Sequence, residues 1–448
     1  MISRNNRVKG YLTILGAGLA GSEAAWQAAE RGIRVDLYEM RPAKPTPAHK
    51  TDHCAELVCS NSLGNNQSPS APYLLKEELR KFNSLVISAA DAHAVPAGAA
   101  LAVDRDHFSK NITEQLSKHP NITLIREEVI EIPSEGPVII ATGPLTSPKL
   151  SESISHLIGQ EYLYFYDAIS PIIDANTIDY DKTFFASRYD KGADDYLNCP
   201  LNKVQYYSLV NELKNGEKVP FKSFEKPIYF EGCMPVEELA LRGDKTLSFG
   251  PLKPVGLSHP ETKEQFYAVV QLRHENKEGT AFNLVGFQTK LTYPEQKRVI
   301  RMIPGLENAE FFRFGAIHRN TYINAPDVLT SELDLKNNKG TYFAGQIIGV
   351  EGYVESVAMG LLAALSAVKR IKGEVHTNPP DDTALGALLK YVTEYRRQSF
   401  QPMNINYGLF QVHEMKIKDK RERNKKIELK ALDSLSQWME IINGELIK

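Results

Sequence analysis

YLTILGAGLAGSEAAWQAAERGIRVDLYEM, residues 11–40, is the stretch that decides the fold of this chain. Its first five residues are suited to a buried parallel strand, and they lead directly into a GxGxxG turn. An alanine-rich helical segment follows the turn, and residues 33–38 alternate as a second strand does. Strand, turn, helix and strand in this order predict a β-α-β unit of the Rossmann type, and therefore an α/β fold.

The glycine turn has the composition of a phosphate-binding site. Gly16 permits the tight bend, Gly18 leaves space for a pyrophosphate, and Gly21 allows helix and strand to pack closely. The start of the helix adds N–H groups and a positive dipole end. Glu39 follows the glycines by about 20 residues, where an acid binds a ribose 2′-hydroxyl. We therefore expect dinucleotide contacts from Gly16, Ala17, Gly18, Leu19, Ala20, Gly21 and Glu39. The alternative is a glycine-rich turn in an ordinary α/β protein.

The composition is that of a globular protein with two or more domains. Of the 448 residues 42% are hydrophobic, and the formal net charge is −2. Such a charge provides no general basic field, so any RNA-binding surface must be local, and DNA is not an expected partner. We expect a cytoplasmic protein, because no apolar run has the length of a membrane span and residues 1–10 lack the apolar core of a secretory signal.

The cysteines are too few for a disulfide framework. No paired CxxC spacing occurs, so reduced thiols are expected and no metal site is predicted. The four cysteines are Cys54, Cys59, Cys199 and Cys233.

The rest of the chain predicts one domain interrupted by another. Between 41 and 141 the pattern predicts a long loop at 41–70, helices at 72–85 and 106–118, and strands within 95–108 and at 121–125, 128–132 and 137–141. Mixed, aromatic-rich segments then predict an inserted α+β domain, mainly β, at 151–315. A strand at 341–344 and a small-residue helix return the chain to the first domain. That domain therefore consists of 1–150 and 316–448, which ends in a basic helical tail.

Several longer motifs resemble a known family. In chain order they are LYEMRP, AELVCSNS (55–62), ALAVDR (100–105), ATGPLTS (141–147), SRYDKG (187–192), YLNCP (196–200), FEGCMPVE (230–237), AVVQLR (268–273) and GVEGYVES (349–356). Together they resemble the folate- and FAD-dependent tRNA (uracil-5-)-methyltransferase family over roughly residues 10–430. The resemblance implies a glutathione-reductase-like FAD-binding domain of the Rossmann type, with an inserted domain. It also implies that 5,10-methylenetetrahydrofolate supplies a one-carbon unit to the T-loop uridine of tRNA, with FAD as cofactor and NADH or NADPH as reductant.

The implied reaction needs a cysteine beside the base. Uracil C5 becomes nucleophilic only after a thiolate adds at C6, and the resemblance assigns this nucleophile to Cys233. Gly232 and Pro235 predict a turn before a helix there, where N–H groups can lower a thiol pKa. The resemblance places Cys59 beside the flavin, as a shield or a proton relay. For either cysteine the alternative is a buried structural thiol.

The resemblance also extends the cofactor site and leaves the substrate contacts open. Flavin contacts are implied for Arg41, Ala141, Thr142, Gly143, Gly345, Gln346, Gly352 and Tyr353. Folate carboxylate, RNA phosphate or pyrimidine contacts are expected from Arg105, His318, Arg319 and Asn320, with surface ion pairs as the alternative. The segment KIKDKRERNKK (416–426) is either an RNA-backbone face or a solvated helix face.

Five positions depart from the family pattern. An arginine is usual at Gly64, a histidine at Lys290, a tryptophan at Tyr293, a threonine at Ile348 and a small polar residue at Met359. These departures leave a ribosomal RNA uridine as an alternative substrate, and a flavin-containing RNA-binding protein without catalysis as an alternative function. A wobble-uridine enzyme with a partner subunit is a further alternative, against which FEGCMPVE argues.

Overall fold

The computed structural model describes residues 10–46, 48–160, 162–190, 194–220, 229, 234–259, 263, 265–395, 400–410 and 417–444. Cys233 and the rest of the first half of FEGCMPVE (230–233) lie outside these ranges, as do Lys416 and the side chain of Arg319.

The described residues form strands and helices in alternation along the chain. The strands are β1 (Tyr11–Leu15), β2 (Arg34–Tyr38), β3 (Ser62–Asn65), β4 (Ala94–Val95), β5 (Ala100–Val103), β6 (Ile122–Ile125), β7 (Val138–Ile140), β8 (Leu163–Ala168), β9 (Ile172–Asp174), β10 (Phe184–Phe185), β11 (Tyr196–Leu201), β12 (Ala268–His274), β13 (Ala281–Leu284), β14 (Phe311–Arg313), β15 (Ile317–Tyr322), β16 (Asp334–Leu335) and β17 (Asn338–Phe343). The α-helices are α1 (Leu19–Glu30), α2 (Ala71–Lys81), α3 (Leu85–Ala92), α4 (Arg105–Lys118), α5 (Pro148–Ile158), α6 (Lys203–Asn215), α7 (Val236–Leu241), α8 (Thr246–Phe249), α9 (Tyr293–Ile300), α10 (Ala325–Val328), α11 (Tyr353–Lys372), α12 (Ala384–Glu394) and α13 (Lys420–Gly444).

A six-stranded sheet built around β1 confirms the predicted β-α-β unit. The strand order is β16-β17-β7-β1-β2-β6, and all neighbours pair in parallel except β16. Leu15 is in register with Tyr38 on one side and with Ile140 on the other. Because parallel strands end at the same edge, the segments that follow β1, β2 and β7 meet there.

Close packing of two helices holds this sheet in place. Helix α11 is buried along most of its length and lies against α1. A side chain at Gly360 would overlap the backbone of Ala20, so the small residues of both helices allow this contact. No α-helix within the described ranges is long and apolar enough to span a bilayer.

A second, antiparallel sheet follows the first. Its order is β10-β11-β12-β13-β9-β14, and it has its own buried cluster between Ile173 and Ala309, which α6 and α9 help to form. The strands β8 and β15 pair with each other in a separate two-stranded ladder. This arrangement supports the division at 150 and 315, which we keep as a proposal.

Three local predictions were wrong. The loop predicted at 41–70 contains a strand, β3, which pairs with β5. Residues 128–132 form no strand, because the chain leaves the sheet after β6; Val129 and Ile132 pack on the core without pairing, and Ile130 is exposed. The helix predicted at 72–85 ends at Lys81. Asn83 has a positive φ of 51°, and the Ser84 side chain accepts a hydrogen bond from the Ile87 N–H to begin α3.

Candidate functional site

A cleft of about 1070 Å³ opens at the edge where β1, β2 and β7 end. Most of the residues predicted to bind the cofactor line it. They are Gly16, Gly18, Leu19, Ala20, Glu39, Arg41, Ala141, Thr142, Gly143, Gly345, Gln346 and Tyr353. The predicted residues that do not line it are Ala17, Gly21 and Gly352.

The three glycines of the GxGxxG turn differ in what surrounds them. Gly16 has a φ of 94°, and a Cβ there would lie 2.7 Å from the carbonyl oxygen of Ala141. A Cβ at Gly21 would overlap the carbonyl oxygen of Gly16. A Cβ at Gly18, in contrast, would meet no protein atom within 4 Å. The first and third glycines are therefore needed for packing, whereas the second faces space that a ligand can use.

The helix that starts at this turn has no side-chain cap. Gly18 occupies the N-cap position of α1, and no side chain accepts a hydrogen bond from the first turn. Uncapped N–H groups at a helix start attract anionic groups such as a pyrophosphate. This observation fits the ADP half of FAD, which the sequence predicts for the cleft.

Glu39 is held at the end of β2 by two partners. Its carboxylate accepts hydrogen bonds from the Ala17 N–H at 3.2 Å and from the Arg41 Nε at 2.9 Å. Burial by itself would raise the pKa of Glu39, but the hydrogen bonds and charge of Arg41 outweigh it, and the pKa lies below its usual range. Arg41 also pairs with Glu56 at 3.0 Å. Glu39 is therefore a fixed carboxylate at the cleft wall.

The segment before α11 closes the cleft on the other side. Gly345 has a φ of 83°, and a Cβ there would lie 2.8 Å from the Ala20 side chain. Gln346 donates a hydrogen bond from Nε2 to Glu351 at 3.0 Å. Gly352 has a φ of 123° and precedes the first residue of α11, which is Tyr353. Glycine at these turns brings α11 close to α1.

Cys59 does not line the cleft itself, but it contacts Tyr353, which does, and Asp167 on β8. The Tyr353 hydroxyl oxygen accepts hydrogen bonds from the N–H groups of Cys59, at 2.8 Å, and of Ser60, at 3.2 Å. The Cys59 thiol donates to Asp167 Oδ2 at 3.0 Å. Burial, followed by the negative charge of Asp167, raises the pKa of the Cys59 thiol well above its usual value. Cys59 is therefore a neutral thiol near pH 7.

Two arginines fix the rest of the Cys59 loop. Arg273 on β12 donates from Nε to Asn61 at 2.9 Å and from Nη2 to Ser60 at 2.8 Å. Arg105 donates to the Leu57 carbonyl oxygen at 2.8 Å and forms an ion pair with Glu275. The ion pair between Arg105 and Glu275 is largely buried, so the alternative of a surface ion pair is wrong for Arg105.

Sequence reasoning missed Asp167 and Arg273. Each is a charged residue within a mainly apolar or aromatic strand, in YLYFYDA and AVVQLRH. A charged residue in such a strand signals a buried polar contact, because a buried charge requires a partner.

Three of the residues predicted to contact substrate lie on β15. Asn320 is buried and donates to Asp167 Oδ2 at 3.5 Å, so it belongs to the Cys59 surroundings. His318 pairs with Asp167 across the β8–β15 ladder. Burial, with the charge of Arg313, lowers the pKa of His318 to about 4, so His318 is neutral at pH 7. Arg319 lies on the same strand, opposite Tyr166.

Residues on either side of Cys233 have firm anchors, although Cys233 itself is not described. Glu237, which is buried, accepts hydrogen bonds from the Thr289 hydroxyl at 2.9 Å and the Lys290 N–H at 2.6 Å. The Lys290 ammonium contacts Glu238 at 2.6 Å and donates to the Tyr229 hydroxyl at 2.8 Å. Lys290 therefore links the described residues before and after Cys233.

The basic tail is partly paired with acids. Lys425 contacts Glu428 at 2.6 Å, and Lys426 lies 3.5 Å from Glu422. Lys420 and Arg421 are exposed at the start of α13. Both the RNA-backbone interpretation and the solvated-face alternative remain predictions.

Comparison with known proteins identifies the family. A family model described as Glucose inhibited division protein A matches residues 11–375. A protein of Natranaerobius thermophilus named Methylenetetrahydrofolate--tRNA-(uracil-5-)-methyltransferase TrmFO is 57% identical over 429 residues, which are 96% of this chain and 99% of that protein. The chain belongs to the TrmFO family. A TrmFO of Bacillus subtilis is 53% identical over 424 residues, covering 95% of this chain and 97% of that protein. The predicted family is therefore confirmed.

Solved structures confirm the fold class. Aquifex aeolicus GidA has a TM-score of 0.70 in its form II crystal and 0.71 in form I, at 17% identity in both. The form II alignment covers 98% of this TrmFO chain and 74% of the GidA chain. At this identity the likeness shows the shared fold alone.

Proposed function

We propose that this chain is a folate- and FAD-dependent methyltransferase that forms 5-methyluridine in the T-loop of tRNA. The observation that carries the proposal is 57% identity, over 96% of the chain, to a protein named for this reaction. Each relative cited above is named for tRNA, so the ribosomal RNA alternative is not favoured.

The cleft supports FAD as the cofactor. Gly18 and the uncapped start of α1 would receive the pyrophosphate, and Glu39 would bind the ribose of the ADP half. Tyr353 and Cys59 would border the flavin ring. When bound, FAD supplies one-carbon transfer and hydride chemistry that no amino-acid side chain provides.

Cys233 is proposed as the nucleophile on the basis of its motif. Its thiolate would add to C6 of uracil, which makes C5 nucleophilic, and it would leave once C5 is substituted and its proton removed. The target base is stacked within the T-loop and must be flipped out before a cysteine can reach C6.

The remaining partners belong to the same proposal. NADH or NADPH would supply electrons, and 5,10-methylenetetrahydrofolate would supply the carbon. The chain would act in the cytoplasm. Arg105 and Asn320 are proposed to act by holding the Cys59 loop and Asp167, and not by direct contact with RNA.

Methyl transfer to purified transcripts tests the proposal. The protein is incubated with methylenetetrahydrofolate, NADH or NADPH, and either tRNA or ribosomal RNA, and nucleosides are analysed by mass spectrometry. We expect 5-methyluridine in tRNA only, and none with Cys233→Ala, which should still retain FAD. Full activity of Cys233→Ala would contradict the assigned nucleophile, and methylation of ribosomal RNA alone would contradict the substrate.

A further inference from the structure

The contact between Cys59 and Asp167 is fixed from both sides. On the cysteine side, the Tyr353 hydroxyl accepts the hydrogen bond of the Cys59 N–H, which fixes the backbone that carries the thiol. On the carboxylate side, Asp167 is 5% exposed, lies in β8 and is contacted by Asn320 from β15. The Sγ to Oδ2 distance of 3.0 Å is short for a hydrogen bond from sulfur. The contact is therefore built by the fold.

The charges around Cys59 come from several elements. Besides Asp167, the carboxylate of Glu351 raises the pKa of the thiol. The Tyr353 hydroxyl is neutral, because burial raises its pKa well above the usual value. Arg313, at the end of β14, is a cation that interacts electrostatically with Cys59. Asp167 differs from the other groups because its carboxylate accepts a hydrogen bond from the thiol itself.

We propose that Asp167 is a positioning residue that keeps Cys59 a neutral thiol and directs its S–H bond toward the carboxylate. The assignment of Cys59 to methyl transfer rests on the proposed function, but the thiol–carboxylate pair does not. Cys59 then differs chemically from Cys233, since a neutral thiol donates a hydrogen bond or a proton and does not attack uracil.

The proton balance of the pair is simple. In the resting protein the proton is bound to Sγ and is shared with Oδ2 through the hydrogen bond. Proton transfer would break the S–H bond and form an O–H bond on Asp167, leaving a thiolate and a carboxylic acid. No oxidant or other reactant is required, and because the negative charge of Asp167 disfavours the thiolate, the equilibrium keeps the proton on Sγ.

The pH dependence of Cys59 alkylation tests the proposal. Folded, FAD-bound protein is treated with iodoacetamide over a range of pH, and the Cys59 peptide is quantified by mass spectrometry. We expect Asp167→Asn to move the midpoint of labelling at least one pH unit lower, which is about a tenfold larger thiolate fraction at neutral pH. An unchanged midpoint would overturn the proposal. A change in access alone would scale the labelling rates without moving the midpoint.

Matched controls separate this effect from unfolding. Asp174→Asn changes a carboxylate on β9 that accepts hydrogen bonds from the backbone and side chain of Asn176, and it should leave the midpoint unchanged. Cys199 is fully buried, so its labelling reports opening of the protein. Faster labelling of both cysteines in Asp167→Asn would mean that the variant has opened, and the wild-type measurement below then decides.

A measurement on the wild type does not depend on the stability of any Asp167 variant. The infrared S–H band of Cys59 is identified by its loss in Cys59→Ser. We expect it at lower frequency than the band of Cys199, because donation to a carboxylate weakens the S–H bond. Equal frequencies would contradict the proposal. Neither this nor the labelling assay requires methyl transfer, so a failure of the proposed function would be seen separately.

Discussion

The hydroxyl oxygen of Tyr353 lies 2.8 Å from the backbone nitrogen of Cys59 and accepts its hydrogen bond. It also accepts the Ser60 N–H at 3.2 Å, so one side chain at the start of α11 satisfies two donors of a loop from another part of the chain. This contact connects the cleft at the end of β1 to the Cys59–Asp167 pair.

Tyr353→Phe should destabilise the protein, because it leaves these two N–H groups without their acceptor. We expect a loss of about 1–3 kcal/mol in the free energy of unfolding. Urea denaturation measures it, with Tyr293→Phe as the matched control, since the Tyr293 side chain is largely exposed. Equal losses in the two variants would contradict the role given to Tyr353.

Alanine at Gly18 should weaken FAD binding, whereas alanine at Gly21 should lower the stability of the fold. Gly18→Ala places a methyl group in open space, so the flavin-free protein should unfold at the wild-type temperature. Its affinity for FAD should fall by about tenfold or more, which is 1.4 kcal/mol. Gly21→Ala drives a methyl group into the Gly16 carbonyl oxygen and should cost about 2 kcal/mol or more of stability.

Thermal unfolding and flavin retention after gel filtration measure both variants. Retention of FAD at wild-type affinity in Gly18→Ala would contradict the placement of the pyrophosphate. A fully stable Gly21→Ala would contradict the packing of α1 against the turn.

Lys290 should contribute more to stability than an exposed lysine does. Lys290→Met removes its contacts with Glu238 and Tyr229 and should lower the free energy of unfolding by about 2 kcal/mol. Lys297→Met is the control, since its pair with Glu310 is exposed and should contribute less than about 1 kcal/mol. A smaller loss in Lys290→Met than in Lys297→Met would show that Lys290 is no anchor for the segments around Cys233.

Glu78 should make stability depend on pH. Its buried carboxylate accepts the N–H groups of Ala384, at 2.7 Å, and Leu385, at 2.9 Å, and burial raises its pKa from 4.5 to about 8. A raised folded-state pKa gives stability that is fully present below pH 4.5 and is lost as the pH rises toward 8. The free energy of unfolding should therefore fall across this range, and it should fall less in Glu78→Gln.

Denaturation at several pH values measures this dependence. Glu114→Gln, on the exposed side of α4, should retain the wild-type slope. A wild-type slope in Glu78→Gln would contradict the prediction.

Local sequence patterns were sufficient to predict the β-α-β unit and most of the residues that line the cleft, whose role in binding a cofactor stays a prediction. The turn at Gly16, the helix after it and Glu39 lie within one β-α-β unit. The geometry of that unit sets their spacing along the sequence. The same reasoning failed at 128–132, where Val129 and Ile132 pack on the core without pairing in a sheet.

The surroundings of Cys59 could not be predicted in this way. Cys59 and Asp167 are 108 residues apart, and Arg273 reaches Asn61 across 212 residues. No local pattern encodes such contacts, because they arise only when β8 and β12 pack beside the loop that carries Cys59. The role of Cys233 remains a prediction from its motif, since Cys233 lies outside the described residues.

The origin of the methyl carbon tests the central claim most directly. The protein is incubated with tRNA, NADH or NADPH, and methylenetetrahydrofolate that carries ¹³C in its methylene group, and the tRNA nucleosides are analysed by mass spectrometry. We predict that the T-loop 5-methyluridine carries the label and that its formation requires bound FAD. Unlabelled 5-methyluridine, or product that forms only when S-adenosylmethionine is supplied, would contradict the account.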